Sequence, residues 1–478
     1  MSKEGEQSVF GDRKTSMEIL YRPITETSRS YFLFLGFLLF VIGLGAIAYI
    51  WQLLNGLVVT GMRDRVSWSV YITNFVFFIG VSHAGTFISA VLRASDAEWR
   101  YSITRMAEMI TGIGLLIGGA MVLIDLGRID RIHHLLLEPR IRSPIFWDFM
   151  AISMYIIGSL LYLYLALIPD FAMLRDRLGD NSIFLKRWMW TILALGWQGT
   201  EDQKKWLHRG MAVMVWILIP VMVSVHTVVS FAVGGVHLRP GWRSTVFGIY
   251  FVVGALYSGI ALLIVIMWIF REVYPDMKVL ITPRQFRNLG IMLLILILGY
   301  GYLTLSEYMN AAYTRPKDDF ELLEELLVGD YAALFWLGIM TAIVIPLCII
   351  AVTRARSIRW LVVASVIINI GMWLKRYIII IPSMARPWVA GPWAPYSPTI
   401  FEVLITLGAF AALAFGFAVG IKFFPVAPLW EILEDEERRK KMFKAGIEPQ
   451  QSFADYSFPM KASDIEMERK LEKELMSG

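Results

Sequence analysis

Apolar blocks of about 20 or more residues recur ten times along the 478-residue chain. A helix needs about 20 such residues to cross a hydrocarbon core of about 30 Å. The blocks therefore confine the chain to an all-α integral membrane fold and exclude soluble enzyme folds. Their approximate limits are 31–55, 68–92, 102–127, 145–168, 209–235, 245–271, 288–312, 331–353, 358–381 and 400–424. The chain is 57% hydrophobic and 18% charged, against roughly 45–50% and about 25% in soluble domains. An even number of spans puts both termini on one side. Loops on that side hold 16 Lys or Arg against 13 opposite, and the two tails add five and ten. Lys and Arg are enriched in cytoplasmic loops, which predicts both termini in the cytoplasm. Topology and membrane lipid thus account for the net charge of +5, and no nucleic-acid partner is expected. The first 30 residues are polar and mixed in charge, so no cleavable leader is expected.

Cys348 is the single cysteine, so the chain cannot ligate an iron–sulfur cluster or build a Cys-based zinc site. Any redox metal then belongs to a partner, and no metal site is expected here. Among six histidines, His83 and His226 lie inside spans. One bis-His haem is formally allowed; a ladder of haems is not.

Two stretches break the rhythm. FLKRWMWTILALGWQG in the 170–208 connection is apolar, basic and Trp-rich but too short to span, which predicts a helix lying in the interface. EILEDEERRKKMFK, after Pro425, predicts a charged helical segment, solvated or docked on a partner. Gly112, Gly114, Gly118 and Gly119 in the third span, with Gly254, Ser258 and Gly259 in the sixth, predict closely packed helices.

An ionisable group at a span centre costs about 2.5–3.5 kcal/mol on insertion scales and so needs a reason. His83 lies deep in the second span, on the side of the termini, where it is expected to face Arg105 or Glu108 of the third. That arrangement is either a plain hydrogen bond or one step of a proton conduit. At the opposite end, Asp125 and Arg128 are one turn apart and placed to pair. Asp148 follows Trp147 one turn inside the fourth span, at about the depth of His226, and the two are expected to flank one pocket. Hydroquinone oxidation releases two protons, so a carboxylate and an imidazole there suit both oxygens. The competing account of Asp148 is a helix N-terminal carboxylate stabilised by the dipole. In the second half, Glu307, Lys375, Arg376 and Glu402 are expected to form an ion-pair cluster, with a proton path as the alternative. No GxxxxGK[ST], HExxH or GxSxG motif is present.

In order, SHAGTFISAVLR, RMAEMIT, DLGR, RSPIFWD and LIPDFAMLRD resemble the NrfD/PsrC family of quinone-interacting membrane subunits. GWQG, SVHTVVSF, PGWRSTVFGIYFVVGALYSG and NIGMW resemble most the ten-span subunits of alternative complex III. The resemblance covers roughly residues 20–425. It implies two four-helix bundles (68–244 and 245–398), flanking helices (31–67 and 399–424) and cytoplasmic tails (1–30 and 425–478) in a prokaryotic inner membrane. It also implies quinol oxidation, with quinone or menaquinone as substrate, at a pocket of Asp125, Arg128, Trp147, Asp148 and His226. His83, Arg105 and Glu108 lie beneath that pocket, on a proton path that continues with Glu307, Lys375, Arg376 and Glu402 in the second bundle. The implied partners are an iron–sulfur subunit of molybdopterin or ferredoxin type, multihaem cytochromes c and a paralogous membrane subunit. Lys375 and Ala232 stand where the alternative complex III pattern carries acids. That leaves open another complex of the family, such as a quinone-reducing polysulfide reductase. Ten spans in two halves also suit a secondary transporter, although Pro220 and Pro346 do not form a matched pair of helix breaks.

Overall fold

Ten helices long and apolar enough to span a membrane make up the computed structural model, which describes residues 20–94, 98–100, 103–178, 184–232, 239–353, 357–387, 391–394 and 396–433. They are α1 (Arg29–Asn55), α2 (Val70–Ala94), α3 (Thr104–Asp125), α4 (Pro144–Leu178), α6 (Glu201–Phe231), α7 (Phe247–Val273), α8 (Pro283–Thr314), α10 (Ala332–Thr353), α11 (Ile358–Ala385) and α12 (Ile400–Gly420). Shorter helices between them include α5 (Phe184–Leu193) and α9 (Lys317–Leu327).

Side chains written into the loops start several spans. Ser28 Oγ accepts from the Tyr31 amide at α1. Reciprocal Thr–Gln capping boxes open α6 (Thr200, Gln203) and α8 (Thr282, Gln285), and a Thr–Glu box opens α12 (Thr399, Glu402). Each box satisfies amides that a helix start leaves without partners.

The helices α2, α3, α4 and α6 close one ring of neighbours, and α7, α8, α10 and α11 close a second. The two rings meet where α2 lies against α7 and α11, while α1 pairs with α12 and flanks the first ring. Among the ten, α2 is the most enclosed and α1 the least. Two glycines set the closest approaches. A Cβ on Gly85 would lie 2.0 Å from the Ala107 carbonyl oxygen, and one on Gly259 would lie 2.2 Å from Ala84 Cβ. Overpacking a core costs roughly 1–3 kcal/mol. Gly85→Ala meets backbone, which cannot rotate away, so its melting temperature in detergent should fall clearly below the parent's. An unchanged melting temperature would contradict the α2–α3 contact.

Two spans depart from regularity. The helix α4 runs ten residues past the limit of 168 and carries Pro169 inside it. Proline has no N–H for the carbonyl four residues back, that of Leu165; on the next carbonyl along, Ala166, Arg105 Nη2 (3.0 Å) and Trp430 Nε1 (3.1 Å) converge. The helix α10 contains a π turn at Met340–Val344. There Tyr257 hydroxyl donates to the Ala342 carbonyl at 2.6 Å.

The apolar, basic stretch of the 170–208 connection forms α5, ten residues long, with Trp190 buried and Phe184 and Trp188 exposed. Residues 1–19 and 434–478, including most of the charged EILEDEERRKKMFK segment, lie outside the described residues. The start of that segment is neither solvated nor left to a partner. Val426, Ala427 and Leu429 are buried, and Trp430 and Glu431 dock on the first ring.

Candidate functional site

The core of the first ring holds a pair of imidazoles. His226 Nδ1 lies 2.9 Å from His83 Nε2, and their ring centroids are 3.8 Å apart. His83 Nδ1 is 2.7 Å from the Ile79 carbonyl, and its Nε2 is also 3.1 Å from the Met222 carbonyl. Giving the His83 Nδ1 proton to Ile79 makes His83 Nε2 the acceptor for His226 Nδ1–H; this tautomer is assigned from the hydrogen bonds. His226 Nε2 then carries a lone pair. Direct contact leaves no gap between the rings for a porphyrin. His83 therefore faces His226 rather than Arg105 or Glu108, and its other flank meets the Tyr155 ring at 4.2 Å.

Beside the histidines, and not hydrogen-bonded to them, a run of hydroxyls lies towards the end that carries the termini. Tyr155 donates to Thr86 Oγ1 (3.2 Å), Thr86 to Thr111 (3.2 Å), and Thr111 to the Ser82 carbonyl (2.7 Å). One helical turn further along α2 and α3, where residues three apart share a face, Ser89 donates to Glu108 Oε1 (2.9 Å) and lies 3.0 Å from the Tyr162 hydroxyl.

Glu108 belongs to a buried ionic group. Arg105 Nη1 donates to Glu108 (3.0 Å) and Nη2 to Asp170 (2.6 Å), with the three side chains 1%, 3% and 0% exposed. Arg93 Nη2 meets Glu431 Oε1 at 2.5 Å, and its Nε donates to Tyr162 at 3.2 Å. Arg100 lies 3.6 Å from Glu431 Oε2. Charges are tolerated in such a setting when they are paired and hydrogen-bonded.

At the opposite end the five residues expected to line one pocket stand in separate settings. Asp125 accepts from Ser69 at 3.4 Å, not from Arg128. Arg128 turns away into the loop and holds Asp130 through two 3.0 Å bonds. That guanidinium keeps the Asp130 carboxyl below its ordinary range. Trp147 is exposed, its Nε1 donating to the Ile141 carbonyl at 2.6 Å. Asp148 has a buried Oδ1 with no hydrogen-bond partner. His226 bonds to His83 rather than to Asp148.

The expected four-residue ion-pair cluster of the second ring does not form: Glu402 and Arg376 have other partners, and Glu307 and Lys375 share a cavity. Glu402 is consumed by capping: it accepts from the Thr399 and Gly61 amides and from the Tyr396 hydroxyl. Arg376 lies between the rings and donates to Ser258 Oγ (3.0 Å) and the Met372 carbonyl (2.7 Å), and Gly80 leaves room for its Nη2. Lys375 bonds the Tyr308 hydroxyl and sits 4.4 Å from that ring's centroid. Glu307, Tyr250 and Lys375 line a cavity of about 90 Å³.

Asp170, Glu431, Arg93, Arg100, Tyr155 and Tyr162 were not anticipated. A signal for Asp170 existed, since it follows Pro169 in LIPDF. No group of three His, Cys, Asp or Glu among the described residues is placed to hold a metal ion.

Residues 58–387 match the family described as polysulphide reductase, NrfD. Similar proteins include a putative dimethyl sulfoxide reductase membrane subunit of Halobacterium salinarum, 27% identical over 416 residues, covering 81% of this chain and 89% of that one. A selenate reductase subunit of Mesobacillus selenatarsenatis is 24% identical over 413 residues, covering 83% and 94%. The Hdr-like menaquinol oxidoreductase integral membrane subunit of Archaeoglobus fulgidus is 21% identical over 433 residues, covering 86% and 98%.

Proposed function

Because this chain belongs to the NrfD polysulphide reductase family, we propose that it is the quinone-facing membrane subunit of an oxidoreductase complex. In this reading it oxidises a hydroquinone such as menaquinol near the end of the spans opposite the termini, and an iron–sulfur partner subunit takes the electrons. The observation that carries the reading is the buried His83–His226 pair in the first ring, packed against Tyr155, whose hydroxyl begins a separate run of hydroxyls. Imidazoles at that depth are costly unless they work or are bonded, and this pair leaves one nitrogen with a lone pair.

Oxidising one hydroquinone removes two electrons and two protons. Asp148, whose Oδ1 has no hydrogen-bond partner, takes the proton of one hydroxyl. His226 Nε2 takes the other. Once Nε2 is protonated, the His226 Nδ1 proton is shared with His83 Nε2, which spreads the positive charge over the pair. Quinone reduction would run the same groups in reverse. The names of the relatives favour a terminal reductase over multihaem cytochromes c as the electron acceptor, and quinol as the donor. Family membership gives no support to a carrier.

The test is purification of the complex with its native partners, followed by quinol oxidation with Asp148→Asn. Assembly should be retained and turnover should fall by about 10²-fold or more, the usual range for loss of a general base. Parent-like turnover in an assembled variant would remove Asp148 from the chemistry.

A further inference from the structure

Helix α5 turns its apolar side away from the protein. Trp190 is buried and its indole donates to the Phe423 carbonyl at 2.9 Å, while Leu193 is half-buried on the same side. A helix turns about 100° per residue, which puts Phe184, Leu185, Trp188 and Ile192 within one arc of about 100° on the other side. These four side chains are between 49% and 80% exposed. Two hydrogen bonds give the depth of the helix. The Tyr164 hydroxyl donates to the Leu193 carbonyl at 3.0 Å, and Tyr164 stands four residues inside the apolar limit of 168 on α4. Phe423, bonded by Trp190, lies three residues past the end of α12 at Gly420. Helix α5 therefore lies beside the ends of two spans rather than above them, where the surroundings of a spanning helix are lipid.

Charge selects the kind of lipid. The helix carries Lys186 and Arg187 and no acid. Among the described residues, the contact of the Lys186 ammonium is a ring face, that of Phe423 at 5.7 Å from the centroid. Lys422 is close enough to repel it and spends its own ammonium on the carbonyls of Pro23 and Glu26. The Glu26 carboxylate is held by Arg22 at 2.7 Å. Two ammoniums thus share this corner, and no carboxylate among the described residues pairs with either.

We propose that α5 is a lipid-binding element: its apolar arc lies among the acyl chains of the leaflet on the side of the termini, and Lys186 takes the phosphate of an anionic phospholipid. Interfacial helices bind in this way, by buried apolar area together with attraction to anionic headgroups, and a lysine whose stem rests on an apolar surface can hold its ammonium at headgroup level. The proposal is independent of the quinone chemistry.

The test uses the purified complex in nanodiscs of equal phosphatidylglycerol and phosphatidylcholine, in two parts. With the photoreactive benzoylphenylalanine in place of Trp188, illumination should add a phospholipid mass to the α5 peptide. The same group in place of Ile157 on α4, 67% exposed, is the positive control. A crosslink from α5 to another subunit, or no adduct where the control gives one, would overturn membrane docking. In the second part, native mass spectrometry reads the lipids that the complex retains. The parent should prefer phosphatidylglycerol, and Lys186→Gln should lower that preference about fivefold, the weight of one lysine at an anionic surface. Lys186→Arg, which keeps the charge, and Lys205→Gln, which removes an exposed lysine of α6, should both leave it unchanged. A parent without the preference, a Lys186→Gln complex that keeps it, or an equal loss in either control would overturn the headgroup site.

Discussion

Arg105→Met should abolish recovery of folded protein. Arg105 supplies the partner for both Glu108 and Asp170, at 3.0 and 2.6 Å, and all three side chains are at most 3% exposed. Breaking a buried pair by removing one member costs about 3–5 kcal/mol, because the opposite charge stays behind without compensation. Here two carboxylates are abandoned at once, and the Ala166 carbonyl loses a donor. Against a total stability of about 5–15 kcal/mol, that is a large share. The companion variant is Arg105→Met combined with Glu108→Gln and Asp170→Asn, which removes the charges together. It should recover most of the folded yield, since uncharged replacements of a buried ion group are often neutral or stabilising. Size-exclusion profiles and melting temperatures in detergent read both. A single variant as stable as the parent would mean that these charges are not buried together.

His226→Asn should leave a folded, assembled subunit with quinol turnover lowered by about 10²–10⁴-fold. Asparagine places an amide N–H near the position of imidazole Nδ1, so the donor to His83 Nε2 at 2.9 Å has a replacement. What disappears is Nε2, the proton acceptor in the proposed chemistry. His226→Gln makes the converse change, keeping a polar atom near Nε2 and losing the contact to His83. Comparing the two under single-turnover conditions with reduced quinol separates proton acceptance from the histidine contact. Equal, parent-like rates in both would take His226 out of the reaction.

The spans were legible because hydropathy over about 20 residues is a strong signal, and span ends mostly failed where a helix had another reason to continue. At Pro169 that reason is tertiary: Arg105 and Trp430 bond the Ala166 carbonyl in the turn before the proline and Arg105 holds Asp170 just after it. The depth of His83 followed from helical rise, but its partner did not. Rise along an axis gives height and says nothing of which neighbour a side chain meets, so Arg105 and Glu108 were expected where His226 and Tyr155 stand. Glu402 shows the opposite case. Thr399 followed three residues later by Glu402, just before an apolar run, is a capping-box pattern, and it explains that carboxylate better than an ion-pair cluster did. Arg376 failed for a different reason: it is satisfied by Ser258 and the Met372 carbonyl, and no pattern of charges along the chain announces such partners. Glu431 left no local trace at all.

Glu431 and Arg93 are separated by 338 residues, and that separation has a consequence for how the protein comes into being. Spans are inserted in the order of synthesis, so the first ring enters the bilayer while its balancing carboxylate has yet to be translated. Throughout insertion of the second ring, the first carries a surplus of positive charge at its open end. The seam closes only after every span is in place. Biogenesis therefore ends on a single late event, and a nascent or prematurely terminated chain is marked as unfinished by an uncovered basic face.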